Sequence, residues 1–460
     1  MTEMFESWRA RLSRPASAAG LGAFRALFGL LMCFGTLRFL ARGWIEELYV
    51  RPEFHFSYLG FEWLRPWPTW GLYLHFALMF VAALALAVGL YSRLSAAAFG
   101  LLFTWAELFD KATYLNHYYL VSLLALLLVV VPCGNACSVD SWRARRRGEA
   151  PAPVAWAHYG LLRAQLFCVY TFAGLAKLNS DWLLRAEPVR GWLLQFADWP
   201  LLGRLFVAQP SAFAMSWAGA LFDLSVVPLL WWKRTRKAAF ALALVFHLSN
   251  WLMFPIGIFS WLMLVSLTLC WDPDWPAALL GRWSRVPHPR SCSRDERPLR
   301  ERSPRLVGRT WLALAGAYLL LQFLLPLRGL LYPGELNWTE QGFRFAWRVM
   351  LIEKTGSVEY EVETPRRRFL VSPRDELSAL QLRMLSTQPD MIHEYALHLA
   401  RRYSDEGPVK VRARAYASLN GRPSQPLIDP EFDLASAPLG LGPAPYIVPL
   451  ERPGAELAAR

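Results

Sequence analysis

Charged residues are scarce in this chain, because Asp, Glu, Lys and Arg make up 18% of its 460 residues, against roughly 25% in ordinary proteins. Cysteine is rarer still: six occur and none lies beyond residue 330, so no structural disulfide is predicted in the C-terminal region. The metal-binding spacings H-x-x-E-H, H-x-x-x-H and C-x-x-C are missing, and no metal centre is predicted. Hydrophobic residues, in contrast, make up 55%, which excludes an intrinsically disordered chain.

Long apolar runs dominate the first two thirds of the sequence, and several approach 20 residues without a polar period. A run of that length crosses the hydrocarbon core of a bilayer as an α-helix. The sequence therefore predicts a polytopic α-helical membrane domain over residues 1–330, with about nine transmembrane helices. The predicted spans are 22–41, 71–91, 94–110, 117–133, 157–178, 212–232, 237–254, 256–272 and 308–326.

The basic residues, which give the chain a net charge of +13, are distributed unevenly between its loops. If the N-terminus is cytoplasmic, the cytoplasmic segments have 20 Lys and Arg, and the outer segments before residue 308 have seven. Cytoplasmic loops are enriched in positive charge, so this orientation is favoured. An Arg-, Pro- and Ser-rich stretch at 274–307 is interpreted as an unstructured connector. Nine spans then place the C-terminal region on the extracytoplasmic side, and the Arg- and Ala-rich composition favours a bacterial inner membrane.

The C-terminal region, residues 331–460, has no spanning segment and a different pattern. Residues 358–363 and 409–417 alternate apolar and polar side chains, as half-buried strands do. Residues 390–403 have apolar side chains at helical spacing. We therefore predict a soluble, mainly β (α+β) extracytoplasmic domain that docks on the outer face of the membrane domain.

Polar side chains within membrane spans are costly, so each of them requires a reason. Lys177 lies near the outer end of the fifth predicted span, and His117 opens the fourth span from the outer side. Asp223 lies in the sixth span, and His247 and Asn250 are one turn apart in the seventh. The predicted topology brings Lys177, His117 and the His247–Asn250 turn toward the outer leaflet, where they could share one pocket.

Each of these residues also has a purely structural explanation. A lysine near the end of a span usually extends its amine to the membrane interface. A histidine in a span, such as His117 or His247, is more often hydrogen-bonded to a neighbouring helix than catalytic. Asp223 could pair with a buried arginine such as Arg163. Structural and functional explanations therefore both stand at this point.

A lysine and a histidine at membrane depth allow a limited chemistry. A neutral amine is a competent general base, and apolar surroundings favour the neutral form over the charged one. A pocket rimmed by Trp, Tyr and Phe at lipid depth suits an apolar, ring-shaped substrate that enters from the bilayer. The residues therefore suggest removal of a proton from an acidic hydroxyl, such as that of a quinol.

Five segments, in order along the chain, resemble the vitamin K-dependent γ-glutamyl carboxylase family. The segment 110–120 contains Asp-Lys-Ala-Thr and Asn-His-Tyr-Tyr-Leu, and resembles the histidine segment of the family. The segment 172–182, Phe-Ala-Gly-Leu-Ala-Lys-Leu-Asn-Ser-Asp-Trp, resembles the active-site lysine segment. The segment 246–259 resembles a later helix with its own histidine, and 336–350 and 417–433 resemble the entry and the end of the luminal domain.

The resemblance implies an integral-membrane carboxylase with epoxidase activity. Such an enzyme oxidises reduced vitamin K hydroquinone with O2 to the 2,3-epoxide, and carboxylates protein glutamate with CO2 to γ-carboxyglutamate. It implies that Lys177 is the initiating base and that His117 is the second catalytic residue, which is expected to bond the hydroquinone oxygen. Asn116, His247 and Asn250 are expected to bind the quinol, and no metal is expected. One departure is Ala176, where the animal enzymes have a second lysine.

The resemblance also implies partners: a glutamate-containing protein or peptide, and membrane lipid, but no nucleic acid. A menaquinol is an alternative native quinol, and the oligomeric state is left open. Three other functions remain as alternatives. One is a quinol epoxidase that has lost carboxylation. The second is a non-enzymatic membrane transporter or lipid-binding protein, which inverted repeats and broken helices would favour. The third is a partner-binding protein whose outer domain performs the recognition.

Overall fold

The computed structural model describes residues 2–150, 152–283 and 306–451, and the first two of these ranges are mainly helical. Eighteen α-helices lie in the described residues. They are α1 Thr2–Leu12, α2 Ala19–Ala41, α3 Thr69–Val88, α4 Ser92–Glu107, α5 Asn116–Val130, α6 Val139–Arg146, α7 Trp156–Ala176, α8 Ser180–Leu184, α9 Val189–Leu194, α10 Gly203–Val207, α11 Gln209–Trp231, α12 Arg236–Met253, α13 Phe259–Leu267, α14 Trp275–Trp283, α15 Arg309–Leu324, α16 Leu336–Thr339, α17 Ala379–Leu385 and α18 Pro389–Arg402.

Four helical segments among the described residues are long and apolar enough to cross a membrane: Ala19–Ala41, Thr69–Val88, Gln209–Trp231 and Arg309–Leu331, the last being α15 with the 3-10 turn that follows it. The other five predicted spans also fall on helices, namely α4, α5, α7, α12 and α13. These five are shorter or more polar, so the total of about nine crossings stays a prediction.

Close packing of the membrane helices depends on glycine at two contacts. A Cβ on Gly29 of α2 would lie 2.5 Å from the backbone nitrogen of Ala87 in α3. A Cβ on Gly174 of α7 would lie 2.7 Å from the Leu224 side chain in α11. Both distances are shorter than a carbon atom tolerates, so only glycine allows these helices to approach so closely. The second contact brings the end of α7 directly against the middle of α11.

The C-terminal region is built on a four-stranded antiparallel sheet. Its four strands are β3 Lys354–Glu363, β4 Arg368–Val371, β5 Lys410–Leu419 and β6 Gln425–Pro426. Two earlier short strands, β1 Pro15–Ala16 and β2 Val154–Ala155, pair with each other in the membrane domain. The sheet order is β4-β3-β5-β6, and Tyr360 of β3 faces Ala413 of β5. The alternating segments 358–363 and 409–417 thus fall on neighbouring strands, and the helical segment 390–403 falls on α18, which packs on the sheet.

The interpretation of residues 274–307 as an unstructured connector is wrong for its first part. Trp275–Trp283 forms α14, because Pro276 at its start fits the first turn of a helix and apolar residues follow. Residues 284–305 lie outside the described residues. They include Cys292 and most of the arginines of this loop that enter the count of cytoplasmic basic residues.

One contact between the two regions is a buried acidic residue that receives hydrogen bonds from the sheet domain. Asp181, in α8, accepts hydrogen bonds from Arg422 Nη1 and Nη2 at 2.6 and 2.5 Å and from Asn420 Nδ2 at 2.9 Å. Burial raises the pKa of the Asp181 carboxyl, but Arg422 and Asn420 outweigh it and hold the pKa below the ordinary value of 3.8. The helix that follows Lys177 is therefore fixed to the C-terminal domain.

We expect Asp181→Asn to lower the free energy of unfolding by about 2 kcal/mol at neutral pH, because Arg422 loses its charged partner. The lowered pKa means that this stabilisation is complete above pH 3.8 and is lost as the pH falls through the folded-state value. The thermal unfolding temperatures of the two proteins in detergent should therefore differ at neutral pH and converge only as the pH falls below 3.8. The control is Arg185→Gln, which removes the longer 3.4 Å contact to Asp181. A constant difference at all pH values would contradict the assignment.

Candidate active site

Lys177 is the first residue after α7, and its side chain points into the protein. Its Nζ donates hydrogen bonds to Asp223 Oδ2 at 2.8 Å, to the Val349 carbonyl oxygen at 3.1 Å and to the Ala173 carbonyl oxygen at 3.3 Å. The Lys177 and Asp223 side chains are 6% and 8% exposed. The same Nζ lies 5.2 Å from the centre of the Trp182 ring. The amine is thus held inside the protein and does not extend to a membrane interface.

The partner of Asp223 differs from the one suggested by the sequence. Arg163 donates instead to the carbonyl oxygens of Leu269 and Trp271, at 2.8 and 3.0 Å. Asp223 pairs with Lys177 because the close contact at Gly174 places the end of α7 beside α11. The expectation of a lysine in purely apolar surroundings was therefore incomplete, since an acid balances its charge.

The Lys177–Asp223 pair lies at a cavity of about 490 Å³, here called the Lys177 cavity. His247 and Asn250 line the same cavity, so three of the predicted site residues do converge. The other walls are mainly apolar and aromatic, and include Trp182, Trp192, Phe222, Phe246, Phe254 and Phe259. A few polar groups in an apolar cavity are typical of a binding site for a flat, apolar molecule.

His247 presents an unpaired nitrogen within this region. Its Nε2 lies 2.7 Å from the Tyr170 hydroxyl, which orients the ring. Its Nδ1 is buried and has no hydrogen-bond partner among the described residues. An unpaired buried polar atom is costly in a protein and is commonly satisfied by a ligand or water. His247 therefore supplies one free hydrogen-bonding atom close to the Lys177–Asp223 pair.

His117 and Asn116 line a second cavity of about 760 Å³, here called the His117 cavity. Asn116 Nδ2 donates to the Arg348 carbonyl oxygen at 3.0 Å, and its Oδ1 accepts from the Tyr114 hydroxyl at 3.1 Å. His117 makes ring contacts to Tyr118 and Phe259. The prediction that all the site residues could share one pocket is thus wrong, because they divide between two neighbouring cavities.

The two cavities have a common wall. Phe259, Val349 and Met350 line both of them. The Phe259 ring lies 5.6 Å from the His117 ring and 5.9 Å from the His247 ring, measured between ring centres. A single aromatic side chain thus touches the histidine of each cavity. Sequence reasoning did not identify this wall, although its residues end the segments 246–259 and 336–350.

The segment 345–350 brings the C-terminal region into the site. Phe345, Trp347 and Met350 have left-handed φ angles of 60°, 56° and 46°. Such angles in non-glycine residues cost of order 1–3 kcal/mol each and persist only where the surroundings hold them. Here the Trp347 ring stacks on Tyr119 at 4.9 Å, and the Val349 carbonyl accepts the hydrogen bond from Lys177. Nothing in the spacing of these residues signals the bent backbone.

Comparison with known protein families gives two matches in order along the chain. The model of the HTTM domain matches residues 13–275, which contain Lys177, Asp223 and the four other predicted site residues. The model of the vitamin K-dependent gamma-carboxylase lumenal domain matches residues 308–453, which contain the segment 345–350. No solved structure matches the chain.

We expect Lys177 and Asp223 to stabilise the protein only as a pair. Replacing either one, as Lys177→Met or Asp223→Leu, leaves an unpaired buried charge and should cost about 3–5 kcal/mol. The double variant removes both charges and should unfold at a higher temperature than either single variant. Thermal unfolding in detergent measures all three, with Gln209→Ala, at the exposed start of α11 and outside both cavities, as the control. Additive losses in the double variant would show that the two side chains act independently.

Proposed function

This chain belongs to the vitamin K-dependent gamma-carboxylase family, and we propose that it is an integral-membrane carboxylase of the full reaction type. In that reaction a glutamate side chain loses its γ-proton and gains CO2, which gives γ-carboxyglutamate. One atom of O2 enters the 2,3-epoxide of vitamin K and the other leaves in water, while the hydroquinone is oxidised. The observation that most supports the proposal is the buried Lys177–Asp223 pair beside the unpaired nitrogen of His247.

The residues of the Lys177 cavity fit a hydroquinone. Its aromatic walls suit a planar ring, and its few polar groups match two ring hydroxyls. We propose that Lys177, His247 and Asn250 hold the ring, with His247 Nδ1 as the partner of one hydroxyl. The bound hydroquinone supplies the oxidation by O2 that drives removal of the glutamate proton. That proton is bound to carbon, and no side-chain amine is basic enough to remove it unaided.

Lys177 acts in this proposal on a hydroxyl proton. An amine acts as a base only in its neutral form, after the ammonium has given up one proton. Asp223 Oδ2 lies 2.8 Å from Nζ, close enough to take that proton. The Val349 carbonyl fixes the orientation of the amine. The pair has no net charge whether the proton lies on Lys177 or on Asp223. Its burial in apolar surroundings therefore costs less than burial of a single charge.

The His117 cavity serves the glutamate side of the reaction in this proposal. It is lined by α17 of the C-terminal domain and by Asn116 and His117, and neither ring nitrogen of His117 is hydrogen-bonded to a described residue. His117 is therefore free to bond a reactant. The wall at Phe259 keeps the two cavities separate, which limits the entry of water to the reacting atoms.

The protein is a membrane protein, and its C-terminal domain belongs to a lumenal domain family. We propose that this domain is extracytoplasmic and that the N-terminus is cytoplasmic, in a bacterial inner membrane. The partners are then a glutamate-containing protein or peptide and membrane lipid. The basic residues that raise the net charge are explained by the cytoplasmic loops, so nucleic acid is not a proposed partner.

The first test measures both products in one reaction. Purified protein receives vitamin K hydroquinone, O2, 14CO2 and a glutamate-containing peptide, and 14C in the peptide and epoxide are quantified. We expect Lys177→Ala to lower both products by about 10²–10⁴-fold, the usual contribution of a general base. The matched control is Lys237→Ala, an exposed lysine in the first turn of α12 that lines neither cavity.

The products distinguish the alternatives. Epoxide without carboxylated peptide would reject the carboxylase in favour of a quinol epoxidase. Neither product from the wild type would reject the enzymatic proposal for this quinol and favour a transporter or binding protein. Equal activity in Lys177→Ala would leave the reaction intact and exclude Lys177 as the base.

The common wall predicts a separate effect on coupling. Phe259→Leu shortens the side chain between the two histidines, so water should enter and the ratio of epoxide to carboxylated peptide should rise. Phe222→Leu is the control, because Phe222 lines the Lys177 cavity but not the His117 cavity. The same double assay measures the ratio. An unchanged ratio in Phe259→Leu, with both products present, would show that the wall does not govern coupling.

A further inference from the structure

Arg38 lies near the outer end of α2, and its guanidinium faces the His117 cavity. The guanidinium stacks over the Trp44 ring at 4.9 Å from the ring centre. It also lies against Gly257, where an added Cβ would approach both terminal nitrogens to 2.8 Å. These two contacts fix the position of the group, yet neither uses its N–H donors.

The Arg38 guanidinium has no hydrogen bond or ion pair with any residue that the structure describes. Glu47, Glu107 and Arg383 are the other charged side chains lining the cavity, and neither carboxylate is paired with Arg38. Arginine in or near a membrane segment is expensive and almost always has a partner or a function. The free donors of Arg38 therefore indicate that a ligand, rather than a residue of this chain, completes the site.

We propose that Arg38 binds the γ-carboxylate of the glutamate side chain in the His117 cavity, an inference that rests on the proposed carboxylase function. A guanidinium presents its N–H groups in a planar fork that matches a carboxylate in two parallel hydrogen bonds. The cavity, of about 760 Å³, has room for a glutamate side chain and its neighbouring residues.

The position of Arg38 fits this role in two further respects. The cavity is bounded by Ala379, Leu380 and Met384 of α17, so a peptide bound in it contacts the C-terminal domain. A carboxylate held there lies on the His117 side of the wall shared with the Lys177 cavity. Loss of the γ-proton also places more negative charge on the carboxylate, and a fixed cation stabilises that charge as it develops.

The test measures binding in the absence of quinol and CO2, so it does not depend on turnover. Full-length protein in phosphatidylcholine nanodiscs is titrated with acetyl-Leu-Glu-Leu-amide and with its glutamine twin. The two peptides differ only in the γ-carboxylate. We expect the wild type to bind the glutamate peptide about tenfold or more tightly than the glutamine peptide, as a charge-assisted pair provides.

Arg38→Gln should bind both peptides equally, and Arg38→Lys should retain part of the preference, since lysine keeps the charge without the fork. Arg38→Lys also serves as the test if the glutamine variant fails to fold. The matched control is Arg42→Gln, an exposed arginine that follows the last turn of the same helix. It should keep the full preference.

Equal binding of the two peptides by the wild type would overturn the proposal, and so would a preference that survives in Arg38→Gln. An Arg38-dependent preference in a protein that makes no carboxylated product would support the carboxylate site and reject the proposed reaction. The binding experiment can thus reject the Arg38 site, and the turnover experiment can reject the proposed reaction, independently of each other.

Discussion

The buried pair of Lys177 and Asp223 is the constraint on which the rest of the site depends. An amine this far from water is stable only when an opposite charge compensates it, and Asp223 lies 2.8 Å from the Lys177 Nζ. The pair requires α7 and α11 to approach closely, and the glycine at 174 makes that approach sterically feasible. Apolar walls can then surround the amine without making the folded protein unstable, which is the combination that the proposed proton transfer requires.

Two cavities with one wall give a physical basis for keeping two reactants apart until they react. Apart from the Lys177–Asp223 pair and a few polar groups, the Lys177 cavity is apolar. The His117 cavity is lined by more charged side chains and also by α17 of the C-terminal domain. A membrane-soluble ring and a water-soluble peptide need such different surroundings. Phe259, which contacts both His117 and His247, forms part of the barrier between the two cavities. The proposed chemistry therefore assigns opposite environments to the two sides of one aromatic ring.

Much of the fold could be predicted because it follows local pattern. All nine predicted apolar stretches fall on helices, and both alternating segments fall on paired strands. The contacts of the site could not be predicted in the same way. Asp223 is 46 residues from Lys177 along the chain. The spacing therefore gave no reason to prefer Lys177 over Arg163 as the basic partner of Asp223. Likewise, left-handed φ angles at Phe345, Trp347 and Met350 are imposed by packing, and no glycine marks them. Family resemblance pointed to residues that line the two cavities but gave no sign that the cavities are separate.

The hydrogen bonds made by the segment 345–350 have a consequence for how the two domains evolved. Carbonyl oxygens of Val349 and Arg348 accept hydrogen bonds from Lys177 and Asn116, so the backbone of one domain completes the polar site of the other. Because backbone atoms are the acceptors, substitution of side chains alone cannot supply or remove them. The C-terminal domain is thus a constituent of the membrane site and not an interchangeable module, and a membrane domain of this kind on its own would need another acceptor for its lysine.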